Sequence, residues 1–243
     1  MEIFGHKLSN AATGFVEKYS TKLDKPVKYL LLPDNHPNFG AMDNDDEFYV
    51  VGVRSNVPSK SFEATFCHEL YHAFQFSFGF PIVVCNDKRK EDVDKFAENL
   101  RSSILDLSAD DAVRAHGVDD SFVMKRRYKA LKDESKAGFP NYNNQFMKDI
   151  LAVCLLLDFH SISENQKALI VQSLDFYAPD VLSLHRTFQA MLDEHGYKTP
   201  RGCLNVFGCV LDEIGLWKHC HIIFENRIII SQQDLEALLS SGR

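Results

Sequence analysis

Cys67-His68-Glu69-Leu70-Tyr71-His72-Ala73-Phe74 is the stretch on which the reading of this chain turns. His68 and His72 are four positions apart, so on an α-helix both imidazoles leave one face, separated by a rise of roughly 6 Å. That spacing lets two neutral imidazole nitrogens reach one tetrahedral ion. Glu69 is rotated about 100° from His68 and stands beside such an ion without having to be a ligand. From there a carboxylate can take a proton from water and return it to a leaving group.

The neighbouring residues give the helix its register. Phe62, Phe66, Leu70, Ala73 and Phe74 make one apolar face, while Ser61, Thr65, His68, His72, Gln75 and Gly79 fall on another, small or polar one. Ser59 or Ser61 is the expected cap, with Glu63 in the first turns. The helix should run to about Ser77, where Gly79 and Pro81 punctuate its end.

Upstream, the pattern predicts an opening helix over Leu8 to Leu23 and a β-strand over Val27 to Leu32. A loop rich in Asn, Asp, Gly and Pro then reaches Asp46, and Phe48 to Val53 is a second strand, β-branched and aromatic. Downstream the chain is mostly helical: 90–116, 121–132, 144–159, 164–176, 179–195 and 200–217. Ile222 to Phe224 and Arg227 to Ile230 read as a hairpin around Glu225-Asn226, and Ser231 caps a short last helix. The break at Ala137 to Asn144 suggests residues 1–137 as one domain and 138–243 as a mainly helical part packed on it.

A catalytic ion needs a third protein ligand and an open position. Asp106-Leu107-Ser108-Ala109-Asp110 begins 34 residues after His72, enough for a loop and a returning helix. On a helical wheel Asn99, Ser103, Asp106 and Asp110 form one polar stripe, which a solvent face would also explain. Asp111 shares the register of Val93, Ala97, Leu100, Ile104 and Leu107. A carboxylate on that apolar face must be paired, metal-bound or near a helix end. Glu98 sits on a mixed face. By spacing alone, Asp106, Asp110 and Asp111 all stay open.

These residues resemble the zincin metallopeptidases over about Val27 to Asp119. The third His that follows a Gly in metzincins is absent, since Phe78-Gly79-Phe80-Pro81 stands there. The resemblance therefore leans to the gluzincin-like branch, and the chain is similar to small cytoplasmic proteins of the ImmA/IrrE type. It implies an α+β, helix-rich fold in which a small zincin-like sheet packs on the His-Glu-x-x-His helix, followed by a mainly helical C-terminal part. It further implies Zn2+ on His68, His72 and Asp106, with Asp110 hydrogen-bonded to a ligand histidine. Asp106 stands where the family usually has the longer Glu. Glu69 becomes general base and then general acid, the substrate a peptide or protein, and Phe48 to Val53 the edge along which the substrate pairs. The alternative from another class is a non-enzymatic, partner-binding protein that retains the scaffold.

The bulk properties narrow the remaining classes. With 45% hydrophobic and 25% charged residues the composition is that of a globular protein long enough to bury its core without staples, so a metal would serve chemistry rather than hold the fold. A net charge of −7 argues against nucleic-acid binding, and Lys125-Arg126-Arg127 reads as a solvated helix face. Ile150 to Leu157 is too short to span a bilayer. The N-terminus has no signal-peptide pattern, and the six cysteines form no disulfide framework, which together fit a reducing cytoplasm. His219-Cys220-His221, near Cys203 and Cys209, matches no standard zinc spacing and reads as the entry to a strand. Tyr142, His160, His185 and His195 are unranked candidates for stabilising an oxyanion.

Overall fold

A computed structural model describes residues 1–86, 91–142 and 144–241. The expected helix start at 90, and residue 143 of the 137–144 break, lie outside them. The fold is α+β and helix-rich, with small sheets. The chain divides into two compact units that interleave in sequence: residues 1–78 with 108–126, and 79–107 with 127–243.

In the first unit, β1 (Glu2–Ile3) and β2 (His6–Lys7) form a small hairpin. Its turn residues Phe4 and Gly5 both have positive φ, as a tight two-residue hairpin turn requires. Helix α1 (Asn10–Ser20) starts at Ser9, whose side chain accepts from the backbone of Ala12. Glu63 reaches across to this start, accepting from the Ser9 backbone N–H at 2.6 Å and from its hydroxyl at 2.7 Å.

Strands β3 (Val27–Leu32), β4 (Gly40–Asn44) and β5 (Tyr49–Arg54) form a sheet in the order β3-β5-β4. β5 runs parallel to β3 and antiparallel to β4. The stretch expected to be loop up to Asp46 thus contains β4. A second expectation is corrected here too: both sides of β5 are occupied, so the edges of this sheet are β3 and β4. Tyr49, Val51 and Val53 alternate along β5 into the core, each at most 1% exposed. The buried Tyr49 hydroxyl is satisfied by donating to Asp24 at 2.7 Å. Burial and that carboxylate push its phenol up to about 12.

Helix α2 (Ser59–Ser77) packs on β4 and β5. Phe62, Phe66 and Leu70, the apolar face, are at most 1% exposed. Burial of each is worth about 1.5–3 kcal/mol relative to exposure. Neither Ser59 nor Ser61 caps α2. Pro58 takes the cap position with no side-chain bond, and the buried Ser61 turns its hydroxyl back to the Pro58 carbonyl. Gly79, with φ of +69°, ends the helix in the left-handed conformation that glycine adopts without strain.

β6 (Ile82–Cys85) opens the second unit. Helices α3 (Glu91–Ala115) and α4 (Ser121–Ala137) each run through the division between the units. Then come α5 (Gln145–His160), α6 (Glu164–Tyr177), α7 (Pro179–His195) and α8 (Pro200–Glu213). The caps are local and legible: Asn144 for α5, a Ser163–Gln166 capping box for α6, and Thr199 ahead of Pro200 for α8. Ile150, Leu151, Val153, Leu155 and Leu156 of α5 lie in this unit's core. The apolar run too short for a bilayer is therefore a buried helix. Among the described residues no helix is long and apolar enough to cross a membrane.

β7 (Cys220–Phe224) and β8 (Arg227–Ile229) complete a sheet in the order β6-β7-β8, and α9 (Gln232–Ser241) follows. The β7–β8 turn is Glu225-Asn226, with φ of 49° and 60°. Paired left-handed residues match the right-handed twist of the strands they join.

Candidate metal centre

α2 carries His68 and His72 on one face, both half-buried. Their rings meet edge-on with centroids 4.6 Å apart, and the two Nε2 atoms approach to 3.0 Å. Each ring is held by its other nitrogen. His68 Nδ1 lies 2.9 Å from a carboxylate oxygen of Asp110, and His72 Nδ1 lies 2.7 Å from Oε1 of Gln75. A carboxylate or an amide oxygen only accepts, so in this arrangement each Nδ1 carries a proton, and in the neutral ring Nε2 is then the atom that can bind an ion.

The 3.0 Å between the two Nε2 atoms is a distance that a shared proton or a shared cation can bridge. One carboxylate, that of Asp106, stands with them. His68, His72 and Asp106 each offer one ligand atom, and these atoms lie within 4.8 Å of one another. Among the described residues this is the group that could hold a metal ion. Two imidazoles and one carboxylate are a donor set suited to zinc and its neighbours in the first transition row.

Helix α3 supplies both acids because they are four residues apart. Asp110 is 4% exposed and Ser103 3%, so this stripe is no solvent face. Asp111, the competing ligand, is engaged elsewhere: Arg114 donates to it at 3.1 Å and stands 3.6 Å from Asp120. Glu98 is exposed. Ser108 and Gln75, both buried, meet at 2.5 Å, with the amide nitrogen donating to the hydroxyl.

Glu69 is half-buried beside β4. A Cβ placed on Gly40 would stand 2.6 Å from Glu69 Cγ, 2.7 Å from its Oε1 and 2.8 Å from Thr65 Cγ2. The backbone of β4 reaches the carboxylate only because residue 40 has no side chain. Sequence reasoning missed this contact, since the Asn38-Phe39-Gly40 stretch reads as loop. The part played by Gln75 was missed as well, although its place on the polar face three residues past His72 was a usable signal.

The lesser candidates have ordinary partners. Cys67 is fully buried core, and burial pushes its thiol far up. His221 Nδ1 meets Asn86, and Cys220 faces Cys85 across the β6–β7 ladder. Cys203 donates to the Tyr197 carbonyl at 3.0 Å, and the Cys209 sulfur lies 3.4 Å from His195 Nε2. The Tyr142 hydroxyl donates to Glu134 at 3.2 Å. His160 packs edge-on against Tyr197. His185 is buried, and loss of hydration holds its imidazole down at about 4, hence neutral.

Comparison of the chain with protein-family models, with curated proteins and with solved structures returned no match.

Proposed function

We propose that this protein is a zinc-dependent peptidase of zincin type, with Zn2+ held by His68, His72 and Asp106. The observation that carries the reading is the convergence of His68, His72 and Asp106, whose ligand atoms lie within 4.8 Å of one another, with each ring oriented through its Nδ1. When bound, zinc supplies Lewis acidity, which polarises a scissile carbonyl and acidifies water. Glu69 accepts the water proton on its carboxylate and passes it to the leaving amine nitrogen. Asp110 keeps the His68 ring in its ligating tautomer. An extended peptide adds alongside β4, the sheet edge whose backbone reaches Glu69 at Gly40. The substrate is a peptide or protein, and a reducing cytoplasm is the compartment that suits six reduced cysteines.

The test is metal content together with cleavage. Purified protein should take up one zinc, cleave members of a peptide library, lose cleavage with a chelator and regain it with added zinc. Equal cleavage by zinc-stripped protein would overturn the reading. Uptake of zinc without cleavage of any peptide would favour the non-enzymatic scaffold, or a hydrolase for another amide or ester.

Gly40→Ala puts a methyl group against the Glu69 carboxylate. Misplacing a proton-transfer group by about 1 Å lowers kcat by up to about 100-fold, and a loss of that order is expected with zinc content unchanged. Steady-state kinetics beside metal analysis checks this; wild-type kcat in the variant would remove β4 from the positioning of Glu69.

A further inference from the structure

The two imidazoles of the centre are oriented by chemically different groups. At His68 the acceptor is the Asp110 carboxylate, which can serve one tautomer only. At His72 it is the Gln75 amide, three residues along the same helix and 1% exposed. An amide has two faces. With its oxygen toward Nδ1, as here, the neutral His72 ring carries its proton on Nδ1, the tautomer whose Nε2 can bind a cation. Turned by half, the NH2 would meet Nδ1, the proton would move to Nε2, and the ligand atom would be blocked. In this orientation the amide nitrogen donates to the Ser108 hydroxyl at 2.5 Å, so both ends of the amide are engaged.

We propose that Gln75 is the positioning residue of His72 and that, braced by Ser108, it fixes this imidazole as the Nδ1–H tautomer that binds the metal. The assignment rests on the metal reading above. It gives α3 a third contribution to the centre besides Asp106 and Asp110, made through a residue of α2.

Two substitutions test it. Gln75→Met keeps the length of the side chain and removes the acceptor; Gln75→Glu keeps an acceptor oxygen. Zinc affinity is read by competition with a chelating dye. The His72 tautomer is read in zinc-free protein by long-range 1H–15N NMR. The wild type should show Nδ1–H, whereas Gln75→Met should show the Nε2–H form and bind zinc about 10- to 100-fold more weakly, the usual cost of losing an outer hydrogen-bond partner. Gln75→Glu should recover most of that loss.

Wild-type affinity and tautomer in Gln75→Met would overturn the proposal, as would equal weakening in both variants, which marks a packing effect. Should Gln75→Met fail to fold, the wild-type tautomer and a smaller loss of affinity in Ser108→Ala decide instead. An unmodified protein that takes no zinc sinks the metal reading itself, an outcome distinct from any variant's behaviour.

Discussion

Glu69→Gln is expected to cut peptide hydrolysis by about 100- to 10,000-fold while leaving zinc stoichiometry and fold unchanged. In barrier height this is roughly 3–5 kcal/mol. The substitution is nearly isosteric, so the close fit against Gly40 survives, but an amide cannot take up a proton at neutral pH. The proposed ligand group of His68, His72 and Asp106 does not include residue 69, so zinc binding should be kept. Kinetics on a cleaved peptide, atomic absorption and circular dichroism read the three quantities separately. Unimpaired hydrolysis would remove Glu69 from the mechanism. Loss of zinc along with activity would instead make Glu69 a ligand.

The parts of this molecule that sequence made legible are those set by local rules. Val27 to Leu32 is a strand with the expected ends, and the His68–His72 pair shares a face because the helical period is a property of the five consecutive residues that span it. The Glu225-Asn226 turn and the caps at Asn144, Ser163 and Thr199 are local in the same sense. What escaped depends on tertiary pairing. Gly40-Ala41-Met42-Asp43-Asn44 has weak β-propensity and becomes a strand only through its ladder with β5. With β4 in place, β5 turns from an edge into the middle of the sheet. The cap of α2 was misread because Glu63 and Ser61 spend their hydrogen bonds on Ser9 and Pro58.

The choice among the three acids shows the same limit at the site. A wheel places Asp106 and Asp110 on one stripe and Asp111 on the apolar register, but it cannot say which stripe meets the histidines. Arg114, one turn past Asp111, pairs with it, and this i,i+3 spacing was visible in the chain. The split of roles between Asp106 and Asp110 needed the packing. Asp110 is buried and touches His68 Nδ1, while Asp106 is the acid grouped with His68 and His72 as a possible metal site.

That split makes a graded prediction. Asp106→Ala should weaken zinc binding by more than the roughly 100-fold that loss of an outer partner costs, because it takes away one of three donors. Asp110→Ala should weaken it by about 10- to 100-fold, since His68 stays in place but its tautomer is no longer fixed. Asp111→Ala should leave it at the wild-type value, with at most about 1 kcal/mol lost from a partly exposed pair with Arg114. Zinc dissociation constants measured for the three variants give the order directly, and chemical denaturation separates weakened binding from weakened folding. If Asp111→Ala abolished binding while Asp106→Ala spared it, the ligand assignment would pass to the other face of α3. The contact between Asp110 and His68 would then need a different explanation, because one helix cannot turn residues 106 and 111 toward the same ion without also changing what residue 110 meets.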